Sequence, residues 1–326
     1  MFFSNAYDRT FRLAAAGLAL VATLAGCDRK HTEVSTGEVT ETWEPAKGEA
    51  IKGIPTATVT TAIQARVARK SEPEVTRAHW QHVAAVYSRY ASAPLWMDDD
   101  GVSPRAAELV AVLEHAPTEG LRLDTYPLRA LIESLRTATA RRATAEQIAD
   151  ADVLLTATYV ALAEDMLTGQ IDPKAVSQGW HIDPEELDVD SALVRTIRME
   201  PLSRAIVQLR PMTEDYDALR RELARYRQIA VQDGWPKVPD GEKLRPGAEA
   251  PVARLDSLLR RLKVEGYLPQ DAALVASDSS PGRAVYDATL AGAVAAYQSR
   301  HSIGVDSILG GETLQSLNLS ATYRVG

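Results

Sequence analysis

A single cysteine, Cys27, stands in a chain of 326 residues. One thiol excludes an intramolecular disulfide, an all-cysteine zinc site and a CxxC redox pair. Basic residues are outnumbered. Lys and Arg total 36 against 44 for Asp and Glu, a formal charge of -8, which disfavours a broad nucleic-acid surface. The apolar run from Leu13 to Leu24 is too short to span ~30 Å of hydrocarbon as a helix. Alternating, strand-like runs are few and no HExxH appears, so neither an all-β fold nor a zincin site is indicated. With 45% apolar and 25% charged residues the chain has what a folded core needs.

The position of the cysteine carries more than its count. Arg9 and Arg12 precede the apolar run, and Ala25 and Gly26 precede Cys27, the order of a secretory signal. Leu24-Ala25-Gly26-Cys27 resembles a bacterial lipobox, whose cysteine becomes the lipidated first residue after cleavage. Residues 1–26 are therefore expected to be a lipoprotein signal peptide and Cys27 the anchor. Asp28 resembles an inner-membrane retention signal, and because organisms differ in sorting, the leaflet stays open. An ordinary secretory signal with an incidental cysteine is the alternative reading, and a buried N-terminal helix of a cytoplasmic protein is a third.

Residues 27–75 are polar and read as a tether, with Ile63 and Val67 in a short helix. Helical periodicity starts near Thr76, where Trp80, Val83, Ala84 and Tyr87 share a face. Ser103-Pro104 predicts an N-cap and first-turn proline, and Gly120 a stop. Thr144 and Gln147 have capping-box spacing ahead of Ile148, Leu155, Tyr159, Leu162 and Met166, predicting the longest helix. Asp183-Pro184-Glu185-Glu186 repeats the cap logic, and further helices fit 193–209 and 216–229, with Pro201 and Pro211 against one continuous rod. The fold class expected is mostly α: a helical domain over 76–245, a turn-rich connection over 234–247, and a small three-helix domain over 250–320. In the small domain, 271–282 reads as polar loop.

The stretch AVAAYQSRHSIGVDSILGGETLQSLN, Ala293–Asn318, resembles the peptidoglycan-binding domain of bacterial wall enzymes. Tyr297-Gln298 matches its aromatic-Gln pair, Asp306 its aspartate, Gly310 its turn glycine and Thr313 the start of its last helix. Ser302 and Ser307 stand where glycines are common, which predicts altered turns. HWQHVAAVYSRYASAPLWMDDDG and EGLRLDTYPL resemble the scaffold domain of large periplasmic L,D-transpeptidases, through Tyr87 or Tyr90, Pro94, Leu95, Trp96, Gly101, Gly120, Leu121, Asp124 and Tyr126. Full members of that family continue into a YkuD-like domain with a cysteine nucleophile and a nearby histidine. This sequence has no second cysteine and stops about where that domain is expected to begin. The resemblance thus implies a noncatalytic, lipid-anchored, periplasm-facing protein that binds peptidoglycan glycan or stem peptide, serves a separate cell-wall enzyme, and uses no cofactor, metal or nucleic acid. A truncated L,D-transpeptidase and a protein-interaction scaffold without wall binding are the alternatives.

Tyr286, Tyr297, Gln298, Arg300, His301 and Asp306 are the expected wall-contact residues, combining aromatic contact with polar recognition of carboxylates and amides. Tyr297 also reads as core, and His301 as a turn residue. His79, His82 and His115 as zinc ligands, and Asp98-Asp99-Asp100-Gly101 as a calcium loop, are weighed against surface or capping histidines and a solvated turn; the second reading is favoured in each case. Glu119, Asp124, Glu164 and Asp165 read as polar or locally paired rather than as a glycosidase pair. Trp80, Tyr87, Tyr90 and Trp96 read as core rather than as a glycan-stacking face.

Overall fold

The computed structural model describes residues 39–45, 47–69, 77–172, 175, 188–232 and 234–325. The expected signal peptide, Cys27, Asp28 and the 183–186 cap lie outside the described residues, as does the side chain of His79. The fold is mostly α, 57% helical with 12 α-helices and small sheets among the described residues. Two compact units divide the chain, Met1–Asp217 and Ala218–Gly326.

The first unit opens with strand β1 (Thr40–Glu41), the hairpin β2 (Ala50–Ile51) and β3 (Ile54–Pro55), and helices α1 (Thr56–Arg69) and α2 (Arg77–Arg89). Hairpin β4 (Met97–Asp98) and β5 (Gly101–Val102) precedes α3 (Pro104–His115) and two 3-10 turns, Ala116–Glu119 and Leu123–Thr125. Then come α4 (Leu128–Ala138), α5 (Ala145–Thr168), α6 (Val189–Thr196), β6 (Met199–Glu200) and α7 (Leu202–Val207). Helix α8 (Glu214–Val231) carries the unit boundary in its first turn.

Helix α5 is the axis of the first unit. Its capping box forms as the spacing requires, with the Gln147 amide donating to Thr144 Oγ1 at 3.3 Å and the Thr144 amide to Gln147 Oε1 at 2.9 Å. It is buried all round, as a helix packed on by α1, α2 and α4 must be. The Ser103 cap is looser than expected: its backbone is extended ahead of Pro104, but its hydroxyl makes no capping bond.

The 27–75 tether needs correction over its described part. Val59 and Ile63 of α1 are fully buried, and Arg66 beside them binds Asp150 of α5 at 2.8 Å. Lys52 Nζ donates to the carbonyls of Ala138, Thr139 and Ala140 at 2.7–3.2 Å, serving the orphan acceptors at the end of α4. An apolar stripe of two buried side chains four residues apart is too thin for periodicity to separate from a tether, yet it is enough to dock a helix on a buried axis.

The second unit adds β7 (Glu249–Pro251), α9 (Val252–Val264), β8 (Val275–Ala276), β9 (Arg283–Val285), α10 (Ala288–Arg300), α11 (Gly311–Leu317) and α12 (Ala321–Val325). The three helices expected are α9, α10 and α11. The sheet, ordered β7-β9-β8 and antiparallel, and the final helix α12 are additions. The 271–282 loop contains β8, whose two exposed residues carry no periodicity to read.

The boundary is also moved: the small unit starts about the first turn of α8 rather than near 250. Tyr226 of α8 donates to Glu265, and Trp235 stacks on Arg261 with the guanidinium carbon 3.7 Å from the ring centroid. Val238 is bracketed by the Asn318 side chain through two 2.9 Å hydrogen bonds, and Leu244 bridges Leu309. The expected connection at 234–247 is therefore built into the small unit's core.

Candidate functional site

Three of the six expected contact residues turn inward. Tyr286 and Tyr297 are fully buried and Gln298 is 1% exposed. Tyr286 donates to the Ser307 carbonyl at 2.8 Å. The Gln298 amide is saturated: Nε2 donates to Asp306 Oδ1, Thr313 Oγ1 and the Ile308 carbonyl, while Oε1 accepts from the Asp306 and Ser307 amides. Asp306 is exposed, and its Oδ1 also accepts from the Ile308 amide, which with Gln298 holds its carboxyl below the usual range. These residues tie the turn after α10 to the start of α11. The buried Tyr297 carries out the core role read from the sequence.

Ser302 and Ser307 have φ of 53° and 60°. Both serines adopt the left-handed backbone that a glycine takes freely. The turns expected to change therefore keep a glycine-type geometry under local strain.

Arg300 and His301 remain at the surface. The His301 ring lies on Tyr297 with centroids 4.1 Å apart, and its Nδ1 is 3.0 Å from Arg324 Nη1. A guanidinium only donates, so Nδ1 accepts and the proton of neutral His301 sits on Nε2, 3.3 Å from the Tyr267 hydroxyl. Burial, and then Arg324, push the His301 pKa down to about 4. Arg300 is exposed, its guanidinium carbon 5.6 Å from the Tyr267 centroid. Arg324 Nη2 also donates to Tyr297 Oη at 2.8 Å and to the Ser316 carbonyl at 3.0 Å. Tyr267, Arg300, His301 and Arg324 thus form one partly exposed cationic and aromatic surface. Tyr267 and Arg324 were missed by sequence reasoning. Tyr267 follows a helix-ending glycine and Arg324 lies beyond the matched motif, so neither carried a signal.

In the first unit the aromatic residues build core. Trp96 is fully buried, Tyr87 1% and Trp80 3% exposed; Tyr90 is half-buried. Tyr87 donates to Asp152 Oδ1 at 2.6 Å, and the Leu95 and Trp96 amides donate to the same carboxylate at 2.8–3.1 Å. Burial pushes the Asp152 pKa up to about 6, against the opposing pull of those three donors. Sequence reasoning passed over Asp152 because a lone acid inside an apolar helix has no motif.

The remaining candidates are dispersed. His82 Nδ1 is 2.7 Å from Asp190 and its Nε2 3.8 Å from Glu164, while His115 bonds the Ala111 carbonyl of its own helix. Among the described residues no three His, Cys, Asp or Glu side chains gather as metal ligands. Asp98 to Gly101 form the tight β4–β5 turn, with the Asp100 amide on Asp98 Oδ1. Glu119 binds Arg210 at 3.0 Å, Asp124 binds Arg122 at 2.7 Å, and Asp165 accepts from Tyr126 at 2.8 Å. Four carboxylates with separate partners do not make a catalytic pair. No described helix is long and apolar enough to cross a membrane.

None of the curated proteins compared matches the chain. The helical bundle around α5 does find a family: residues 81–223 match the model of the Scaffold domain, the scaffold domain of L,D-transpeptidases.

Proposed function

We propose that the protein is a lipid-anchored, noncatalytic peptidoglycan-binding scaffold that acts in cell-wall remodelling. The Scaffold-domain match over 81–223 carries the reading. It is supported by the lipobox-like Leu24–Cys27, which supplies an anchor at the periplasmic face of the inner membrane if Asp28 acts as a retention signal. In the small unit, Tyr267, Arg300, His301 and Arg324 offer an aromatic face and cationic donors suited to a glycan ring and a stem-peptide carboxylate. Tyr297 supports that surface from beneath, its ring centroid 4.1 Å from that of His301 and 5.4 Å from that of Tyr267, while Tyr286, Gln298 and Asp306 brace the adjoining turn. Function is then a matter of local concentration: the anchor confines the chain, the small unit holds the wall, and the helical unit presents a separate wall enzyme.

Two experiments test this. Labelled fatty acid is incorporated into the full chain and lost in Cys27→Ala; equal labelling of both contradicts the anchor. The folded chain cosediments with purified sacculi; its absence from the pellet contradicts wall binding.

The Scaffold-domain match equally suits the scaffold part of a cross-linking L,D-transpeptidase. Genomic sequence downstream of the Gly326 codon decides this, since a YkuD-like histidine and S-x-G-C in any frame favours that reading.

A further inference from the structure

We infer that the first unit carries a second binding site, a cleft that takes the carboxylate end of a short peptide. The cleft has a volume of about 390 Å³ and is lined by Arg89, Asp190, Ser191, Val194, Arg195 and Arg198, with Glu41 at its rim. A neighbouring cleft of about 370 Å³ shares Arg89 and Arg198 and is lined by Tyr90 and Lys47.

The local fold builds this surface deliberately. Strand β1 pairs antiparallel with β6, Thr40 opposite Glu200, and the Trp43 amide donates to the Arg198 carbonyl at 2.9 Å. Trp43 is clamped between the Arg105 guanidinium, 4.2 Å from its ring centroid, and the edge of Tyr90 at 5.9 Å. That clamp fixes one wall, and α2 and α6 supply the other two.

Charge within the cleft is unevenly committed. Arg198 is held by Glu41 at 2.9 Å and Asp190 by His82 at 2.7 Å. Arg89 and Arg195 line the same cleft from different helices and pair with no carboxylate among the described residues. Tyr90, which lines the neighbouring cleft with Arg89 and Arg198, has a buried hydroxyl oxygen without a hydrogen-bond partner among the described residues. A carboxylate entering the first cleft meets two guanidinium donors, Arg89 and Arg195.

The same lining selects the ligand class. Guanidinium forks match the planar, two-oxygen carboxylate. Glu41 and Asp190 disfavour a dianion such as phosphate and suit a ligand whose carboxylate sits beside an N–H donor, as at a peptide C-terminus. Val194 gives the adjacent side chain an apolar contact. The inference stands apart from wall contact by the small unit, and its probes contain no wall material.

Calorimetric titration of the full chain with acetyl-trialanine, its C-terminal amide and inorganic phosphate tests it. The free acid is expected to bind, with the amide and phosphate each about tenfold or more weaker, the scale of one charge-assisted pair. Arg89→Gln/Arg195→Gln is expected to abolish acid binding while circular dichroism and Tm stay unchanged, both side chains being exposed. Equal binding of acid and amide, tighter binding of phosphate, retained binding in the double variant, or no binding of the acid overturns the inference.

Discussion

Gln298 Nε2 donates to Asp306 Oδ1 at 2.8 Å across the turn that joins α10 to α11. The pair that marks the peptidoglycan-binding resemblance is thus a structural brace, one partner buried and the other exposed. Gln298→Ala leaves the Thr313 hydroxyl and the Asp306 and Ser307 amides without their buried partner. We expect a loss of about 2–4 kcal/mol in the small unit, read by urea unfolding followed through its tryptophan. Arg300→Ala, at the surface, is expected to change stability by less than about 0.5 kcal/mol. Equal effects of the two substitutions contradict the brace.

Ser302 and Ser307 pay a backbone penalty that glycine avoids. Ser302→Gly and Ser307→Gly are each expected to stabilise the small unit by about 0.5–1 kcal/mol, after the larger chain entropy of glycine is subtracted. Differential scanning calorimetry measures it. A lowered Tm in both variants contradicts the strain.

His301 titrates low because it is partly buried and faces Arg324. Its folded pKa of about 4 lies below the unfolded value of ~6.5, so the unfolded chain binds more protons between the two. The contribution to stability is complete above about pH 6.5 and is lost as pH falls toward 4. Proton NMR of the imidazole is expected to give a midpoint near 4, and His301→Gln to flatten the small unit's stability over that window. A midpoint near 6.5 contradicts the proton assignment.

Asp152 receives three donors inside α5's packing layer. Asp152→Asn turns an acceptor into a partial donor facing two amides, and about 3 kcal/mol or more is expected to be lost from the first unit. Hydrogen exchange in α2 and α5 reports it. Unchanged protection there contradicts a structural role for the carboxylate.

Legibility in the sequence followed the length and regularity of each element. Helix α5 was plain because Thr144, Gln147 and a long apolar run say the same thing at three levels. Helix α1 was read only as a short helix within a tether, because its docking depends on α5, which lies far along the chain. Sheet β7-β9-β8 was invisible: two or three residues per strand give no alternation. For the site, the motif marks one turn, at which Tyr297 and Gln298 are buried and Arg300 and Asp306 exposed. Residue type and spacing place Tyr297 and Gln298 correctly, but whether a side chain points in or out is set by helices α9 and α11, which the motif does not encode. Tyr267 and Arg324, which complete the exposed surface, come from outside the motif.

Cosedimentation of the full chain with purified sacculi, run for the parent and Arg300→Ala side by side, tests wall binding most directly. The account predicts that the parent is retained, that retention weakens severalfold in Arg300→Ala, and that both proteins share the same circular dichroism spectrum and Tm. A folded parent that stays in the supernatant contradicts it.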